Sequence, residues 1–186
     1  MSIIGKIKRL FHRIWSDEET IGLVKNNDLI PSVSTNFEGR IEVASLQNVN
    51  DTQAFESESY TNIYTDMISK GDKVLFGYVG DRCVYRLCIQ MSGMIKFDGC
   101  PVRKLQDKEA YIHYCFCDNL YRGKGFHSAG MNFACRLLPD YTLYVYVEEN
   151  NKASLYGIYK NGFRNQCKIH VKNRFLKRRA YIEDFK

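Results

Sequence analysis

No apolar run in this 186-residue chain reaches the length of about 18 residues that a membrane-spanning helix needs, which excludes such a span. The opening residues lack the uninterrupted apolar core of a secretory signal, because Lys6, Lys8 and Arg9 break it, and the expected location is the cytoplasm. No C-x-x-C pair occurs among the seven cysteines (Cys83, Cys88, Cys100, Cys115, Cys117, Cys135 and Cys167). Their odd number and irregular spacing do not suit a secreted disulfide framework, and paired metal-ligand spacings are missing. The expectation is reduced, mostly buried thiols and no metal. The string G-x-x-x-x-G-K-[ST] is absent, so there is no P-loop. Repeats, low-complexity tracts, internal linkers and nucleic-acid-binding motifs are absent too, and no nucleic-acid partner is expected.

What is present argues for one folded domain. The chain is long enough to bury a real core. Hydrophobic content of 45% and aromatic content of 13% exclude a disordered chain. Residues 110–117 are dense in aromatic and β-branched side chains and read as a strand. From residue 126 to 138 the large apolar residues recur at helical spacing. Between them stands Tyr121-Arg122-Gly123-Lys124-Gly125-Phe126-His127. A strand that turns through glycines into a helix cradles phosphate. The first helical N–H groups lack partners, and the helix dipole adds positive charge there. Gly123 and Gly125 tolerate positive φ and keep side chains away from an anion, while Arg122 and Lys124 add two charges. The expected ligand carries a phosphate or pyrophosphate.

The remaining pattern fills in an α/β mixed sheet. Strands are expected at residues 40–45, 73–79, 82–91, 141–147, 164–171 and 175–184, with a hairpin turn at Gly80-Asp81. Helices are expected at 51–69 and just after Asn151. Residues 93–108 read as connection. The order is β-α-β-β-β-α-β-α-β-β. A dinucleotide-binding oxidoreductase is an alternative, since Gly123-Lys124-Gly125-Phe126-His127-Ser128 nearly matches G-x-G-x-x-G and the next strand ends in Glu148-Glu149. Against it, a doubly wound sheet starts with its fingerprint and continues through further βαβ units.

Two segments resemble the GNAT (GCN5-related N-acetyltransferase) family. Its pyrophosphate loop reads Arg/Gln-x-x-Gly-x-Gly/Ala, and here Arg122 and Gly125 match while His127 replaces the final small residue. Its second segment, Asn-x-x-Ala/Ser followed by a helix and Gly-Phe, is matched by Asn151, Ser154, Gly162 and Phe163. The resemblance covers residues 38–186, the acyltransferase domain, and leaves 1–37 as a lead-in. It implies a mostly antiparallel central sheet flanked by helices. It also implies acetyl-CoA as co-substrate and direct transfer of acetyl to the primary amine of a small molecule such as an amino-sugar. Arg122, Gly123, Lys124, Gly125, Phe126, His127, Asn151 and Ser154 would contact the cofactor, and the backbone of Cys115, Phe116 and Cys117 would pair with its pantetheine arm. The acceptor would lie against the first helix and variable loops, about residues 46–70 and 92–108.

Catalytic groups follow partly from position. By the two-residue period, Glu109, Tyr111, His113, Cys115 and Cys117 share one face of the central strand. Histidine's intrinsic pKa suits proton acceptance near neutral pH, so His113 is the expected base, with Glu109 and Tyr111 as other candidates; a half-buried, hydrogen-bonded strand residue is the plain alternative. The family's helical tyrosine acid falls on Ile158, and adjacent Tyr159 is the substitute considered. That departure leaves a third possibility, a CoA-binding protein without catalysis. At the start of the chain, apolar residues at 3, 4, 7, 10, 11, 14 and 15 form one stripe opposite Lys6, Arg9 and Arg13. This basic amphipathic helix over 3–15 would contact an anionic membrane surface, its own domain, or the second subunit of a homodimer. Lys168, Lys172, Arg174, Lys177, Arg178 and Arg179 supply much of the net charge of +6 and read as a solvated face.

Overall fold

Apolar and aromatic runs build the central strands Lys73–Val79, Arg82–Gln90, Glu109–Cys117 and Thr142–Glu148, more polar strands flank them to make ten among the described residues, and short helices cover the sheet. The computed structural model describes residues 15–26, 37–97, 99–174 and 177–185. In chain order the strands are Trp15–Lys25 (β1), Arg40–Val43 (β2), Lys73–Val79 (β3), Arg82–Gln90 (β4), Met94–Phe97 (β5), Cys100–Lys104 (β6), Glu109–Cys117 (β7), Thr142–Glu148 (β8), Arg164–Arg174 (β9) and Lys177–Asp184 (β10). The α-helices are Glu58–Ser69 (α1), Phe126–Leu137 (α2) and Lys152–Lys160 (α3), with 3₁₀ turns at Val49–Ala54 and Asn119–Tyr121. Eight strands form one sheet in the order β10-β9-β1-β8-β7-β4-β3-β2. Among the described residues only β7 and β8 pair in parallel, and every other pair in the sheet is antiparallel. The mixed, mostly antiparallel sheet flanked by helices agrees with the sequence, and from β2 onward so does the order, apart from β5 and β6. It also rules out the doubly wound parallel sheet of the oxidoreductase alternative.

Three expectations need correction. The sheet does not begin near residue 40: β1 lies between β8 and β9, with Leu23 wholly buried. A boundary between 37 and 38 therefore does not separate residues 15–25 from the sheet. The acidic run Asp17-Glu18-Glu19 hid this strand, because its charges pair across strands rather than alternate with apolar residues. Asp17 meets Arg174 at 2.8 Å, Glu19 meets His170 at 3.3 Å and Lys168 at 3.8 Å, and Glu18 meets Arg178 at 3.9 Å. Of the expected helix over 3–15, residues 3–14 lie outside the described residues, and Trp15 starts β1. Residues 93–108 are not mere connection but contain the β5–β6 hairpin. The helix expected over 51–69 breaks at 55–57, where Phe55 stacks on Phe116 and Glu56 turns inward to Arg86.

The two sheet faces bury different things. On the first, α2 and α3 press Phe126, Met131, Leu155 and Ile158 onto Leu75, Leu87, Ile112 and Val145. On the second, α1 sets Tyr64 against Val74, Phe76 and Cys88, and the β5–β6 hairpin sets Ile95 against Tyr111 and Tyr144. Between α1 and that hairpin, residues 113–116 of β7 cross the second face under partial cover only. All seven cysteines are free, five of them buried.

Candidate active site

The central feature is a gap in the sheet. Strands β7 and β8 pair from Glu109–Thr142 to Ile112–Val145 and no further. Beyond that point β7 stays with β4, as far as Cys117 opposite Tyr85, while β8 stays with β1, as far as Glu148 opposite Thr20. The two strands therefore diverge, and the β8-facing edge of residues 113–117 is left without a strand partner among the described residues.

At the same place β7 is bulged. Arg86 faces Phe116 and Cys88 faces His113, so three steps on β7 match two on β4. Tyr114 takes φ of +47°, a left-handed conformation that costs a non-glycine residue energy. The extra residue corrects the single-face expectation. Tyr111 and His113 stack together on the second face, ring centres 5.1 Å apart, and Glu109 meets Tyr144 there. Cys115 and Cys117 instead pack with the core under α2 and α3. Burial pushes the Cys115 thiol up to about 12 and the Cys117 thiol to about 11, so neither is a nucleophile near neutrality.

Beyond Cys117 the chain forms the expected turn. Asp118 Oδ1 accepts from the Leu120 N–H at 3.1 Å, capping the 3₁₀ turn. Gly123 and Gly125 have φ of +77° and +84°. Gly125 is the N-cap of α2, has no side chain to cap it, and leads into a first turn without acidic residues. The first N–H groups of that turn and the exposed Arg122 and Lys124 stand together at this corner, an arrangement whose charge and donors suit an anion. Arg122 Nε donates to the Cys117 carbonyl at 3.3 Å, tying the turn to β7. Phe126 contributes backbone only, since its ring is in the core.

Other expected contacts are already engaged within the fold. His127 was expected at the phosphate. Its ring instead points inward, Nδ1 lying 3.3 Å from Tyr85 Oη and Nε2 lying 3.2 Å from Ser154 Oγ. Burial lowers its pKa to about 4, so it is neutral near pH 7 and offers no charge to an anion. Asn151 caps α3, its Oδ1 accepting from the Ser154 N–H at 3.2 Å. His127, Ser154 and Asn151 thus lock α2 to α3 beside the turn.

The expected catalytic residues separate. His113 is half-buried beside the gap, and its Nε2 is buried with no hydrogen-bond partner among the described residues. Burial, then the Arg86 charge, lowers its pKa to about 4, which leaves its lone pair free near pH 7. Glu109 lies at the other end of β7, roughly 13 Å away at the usual strand rise. It accepts from Arg103, Tyr144 and the Gln106 N–H. Burial would raise its pKa, but those hydrogen bonds and the Arg103 charge outweigh it and lower the value. Glu109 is thus a structural carboxylate, not part of the cleft. Ile158 is fully buried, and Tyr159, 42% exposed, donates its hydroxyl to Asn165 at 2.7 Å. Neither is set up as an acid in this arrangement.

Sequence reasoning missed Arg86, Glu56 and Tyr64. Arg86 is 4% exposed and forks onto Glu56, which also accepts from Tyr64 Oη at 2.7 Å. The available signal was a lone arginine inside the apolar run 83–89.

No family model and no curated protein matches the sequence. Solved structures do match the fold. A GNAT-family acetyltransferase from Colwellia psychrerythraea superposes with a TM-score of 0.59 at 14% identity, over 98% of this chain and 62% of its own. One described as a GNAT-family acetyltransferase from Novosphingobium aromaticivorans gives 0.57 at 12%, over 92% and 66%. A GCN5-related glucosamine N-acetyltransferase region of a fungal multi-domain β-N-acetylglucosaminidase gives 0.64 at 12%, over 92% of this chain and 23% of that one. The chain therefore has the fold of the GNAT acetyltransferases, and it spans about two thirds or less of the length of these neighbours.

Proposed function

We propose that the protein is an acetyl-CoA-dependent N-acetyltransferase that acts on the primary amine of a small molecule. The observation that carries this reading is the divergence of β7 and β8 beside the Gly123–Gly125 turn. One cleft offers a bare strand edge for an amide-bearing arm and, at its mouth, a cradle for a pyrophosphate. In this reading the backbone of Cys115, Phe116 and Cys117 receives the pantetheine arm by strand addition, and Arg122, Gly123, Lys124, Gly125 and Phe126 surround the pyrophosphate.

The chemistry is direct attack in a ternary complex. The amine lone pair adds to the thioester carbonyl, the carbon–sulfur bond breaks, and the thiolate leaves. Holding both reactants in one cleft supplies most of the acceleration. His113 takes the proton released by the nitrogen, and a bulge N–H stabilises the carbonyl oxygen. The thiolate departs without a dedicated acid. The acceptor approaches across the second face, between α1 and the β5–β6 hairpin, where Tyr60 and Tyr114 are exposed. An amino-sugar is the specific acceptor to try first.

Calorimetric titration with acetyl-CoA, with NADH in parallel and Gly125→Asp as control, tests the cofactor. Micromolar binding of acetyl-CoA, lost in the variant and absent with NADH, is expected. Thiol release on a panel of amines, amino-sugars included, then tests catalysis. Binding without turnover on any amine would favour a CoA-binding protein without catalysis, and binding of NADH alone would overturn the reading.

A further inference from the structure

Arg86 sits in the middle of β4 among Val84, Tyr85, Leu87 and Cys88, all of them buried. Its Nε lies 3.1 and 3.0 Å from the two Glu56 carboxylate oxygens, and Nη2 lies 2.8 Å from one of them. Both side chains are almost wholly buried. Burying such a pair costs desolvation that its attraction barely repays, and an apolar pair often serves stability as well. One further bond explains its placement better: Nη1 donates to the carbonyl of Tyr114. Tyr114 is the positive-φ residue of the β7 bulge. The guanidinium therefore ties three things together: the 55–57 break before α1, strand β4, and the strained carbonyl where β7 leaves β8.

We infer that Arg86, anchored by Glu56, is a positioning residue that holds the Tyr114 carbonyl and so fixes the bulge beside the acetyl-transfer cleft. The bulge turns His113 to the face where the acceptor approaches and Cys115 and Cys117 to the other. Glu56 belongs to the segment that walls the acceptor side, so the same link joins that wall to the reacting backbone. The catalytic consequence rests on the acetyltransferase reading; the hold on the bulge does not.

Two variants test it. Arg86→Lys keeps the charge but gathers its donors on one nitrogen, losing the planar fork whose separate nitrogens reach Glu56 and Tyr114. The double variant Arg86→Met with Glu56→Gln removes both charges and leaves no orphaned carboxylate in the core. Backbone amide exchange of residues 113–117 is read alongside kcat and the KM for acetyl-CoA. Exchange at 113–117 is expected to rise at least about tenfold in both variants, with β9 and α2 unchanged, because the lost hydrogen bond is charge-assisted. A similar fall of about tenfold or more in kcat is expected, with KM within about threefold of the parent. Unchanged exchange would overturn the inference, whatever turnover did. So would a fall in kcat without faster exchange, which would make Arg86 a group acting on the substrate. Faster exchange in a protein whose parent form never binds acetyl-CoA would sustain the hold on the bulge and sink the acetyltransferase reading.

Discussion

His113 and His127 are held neutral inside the fold, and each carries a pH signature. Both pKa values fall from 6.5 to about 4. Between those values the unfolded chain binds protons that the folded chain refuses, so stability rises with pH across this window. Above pH 6.5 the contribution is constant, and below about 4 no more is lost. Each shift corresponds to roughly 3 kcal/mol. His127→Gln keeps a polar group for Tyr85 and Ser154, and a smaller loss of Tm between pH 6.5 and 4.5 is expected in thermal melts. For turnover, His113→Gln is expected to lower kcat about 100-fold, the lower range for a lost general base. The acid limb of kcat in the parent should fall near pH 4, not 6.5. A limb at 6.5 would show that another group accepts the proton. At this scale the sequence was least legible. His113 could be picked out by chemistry, but its face relative to Cys115 depended on one inserted residue. His127 looked like a phosphate contact because its partners, Tyr85 and Ser154, lie far away in sequence.

Helix α2 shows how closely elements fit around the glycine turn. A Cβ at Gly130 would stand 2.5 Å from Cε1 of Tyr85 and 2.7 Å from its hydroxyl. Gly130→Ala must displace that ring, and with it the bond to His127. Overpacking of this kind costs about 2 kcal/mol, or a Tm lower by about 6 °C, readable by calorimetry. Elements were the most legible scale. Strands β3, β4 and β7 and helices α2 and α3 begin and end within a residue or two of their apolar periodicity and glycine boundaries. The glycine turn was legible because its chemistry is local: a strand, two glycines, two cations and a helix start lie within one short stretch. The β5–β6 hairpin was not, since Pro101 and scattered polar residues broke its alternation.

At the scale of the molecule, charge and topology act together on one strand. Asp17, Glu18 and Glu19 of β1 face basic residues of β9 and β10. These pairs are partly exposed, so each contributes little and salt weakens it. The burial of Ile21 and Leu23 between β8 and β9 matters more. A variant lacking residues 1–25 is expected to lose cooperative unfolding in thermal melts, because β8 and β9 would each expose an unpaired edge. A sharp two-state transition from that variant would show the strand to be dispensable. This was the least legible feature of the whole fold, since its cause is complementarity with strands well over a hundred residues away.

That distance has a kinetic consequence. Asp17 and Arg174 are separated by 157 positions, and β1 is closed on both sides by strands that follow it at long sequence separation. Loop closure on that scale comes before any reward from pairing, so folding is expected to be slow for a domain of this size, as stopped-flow refolding would show. As the chain leaves the ribosome, β1 waits without neighbours until β8 and β9 have emerged. Its acidic first half is expected to keep that waiting segment soluble, and the burial of Ile21 and Leu23, more than the attraction of the basic strands, is expected to hold it once they arrive.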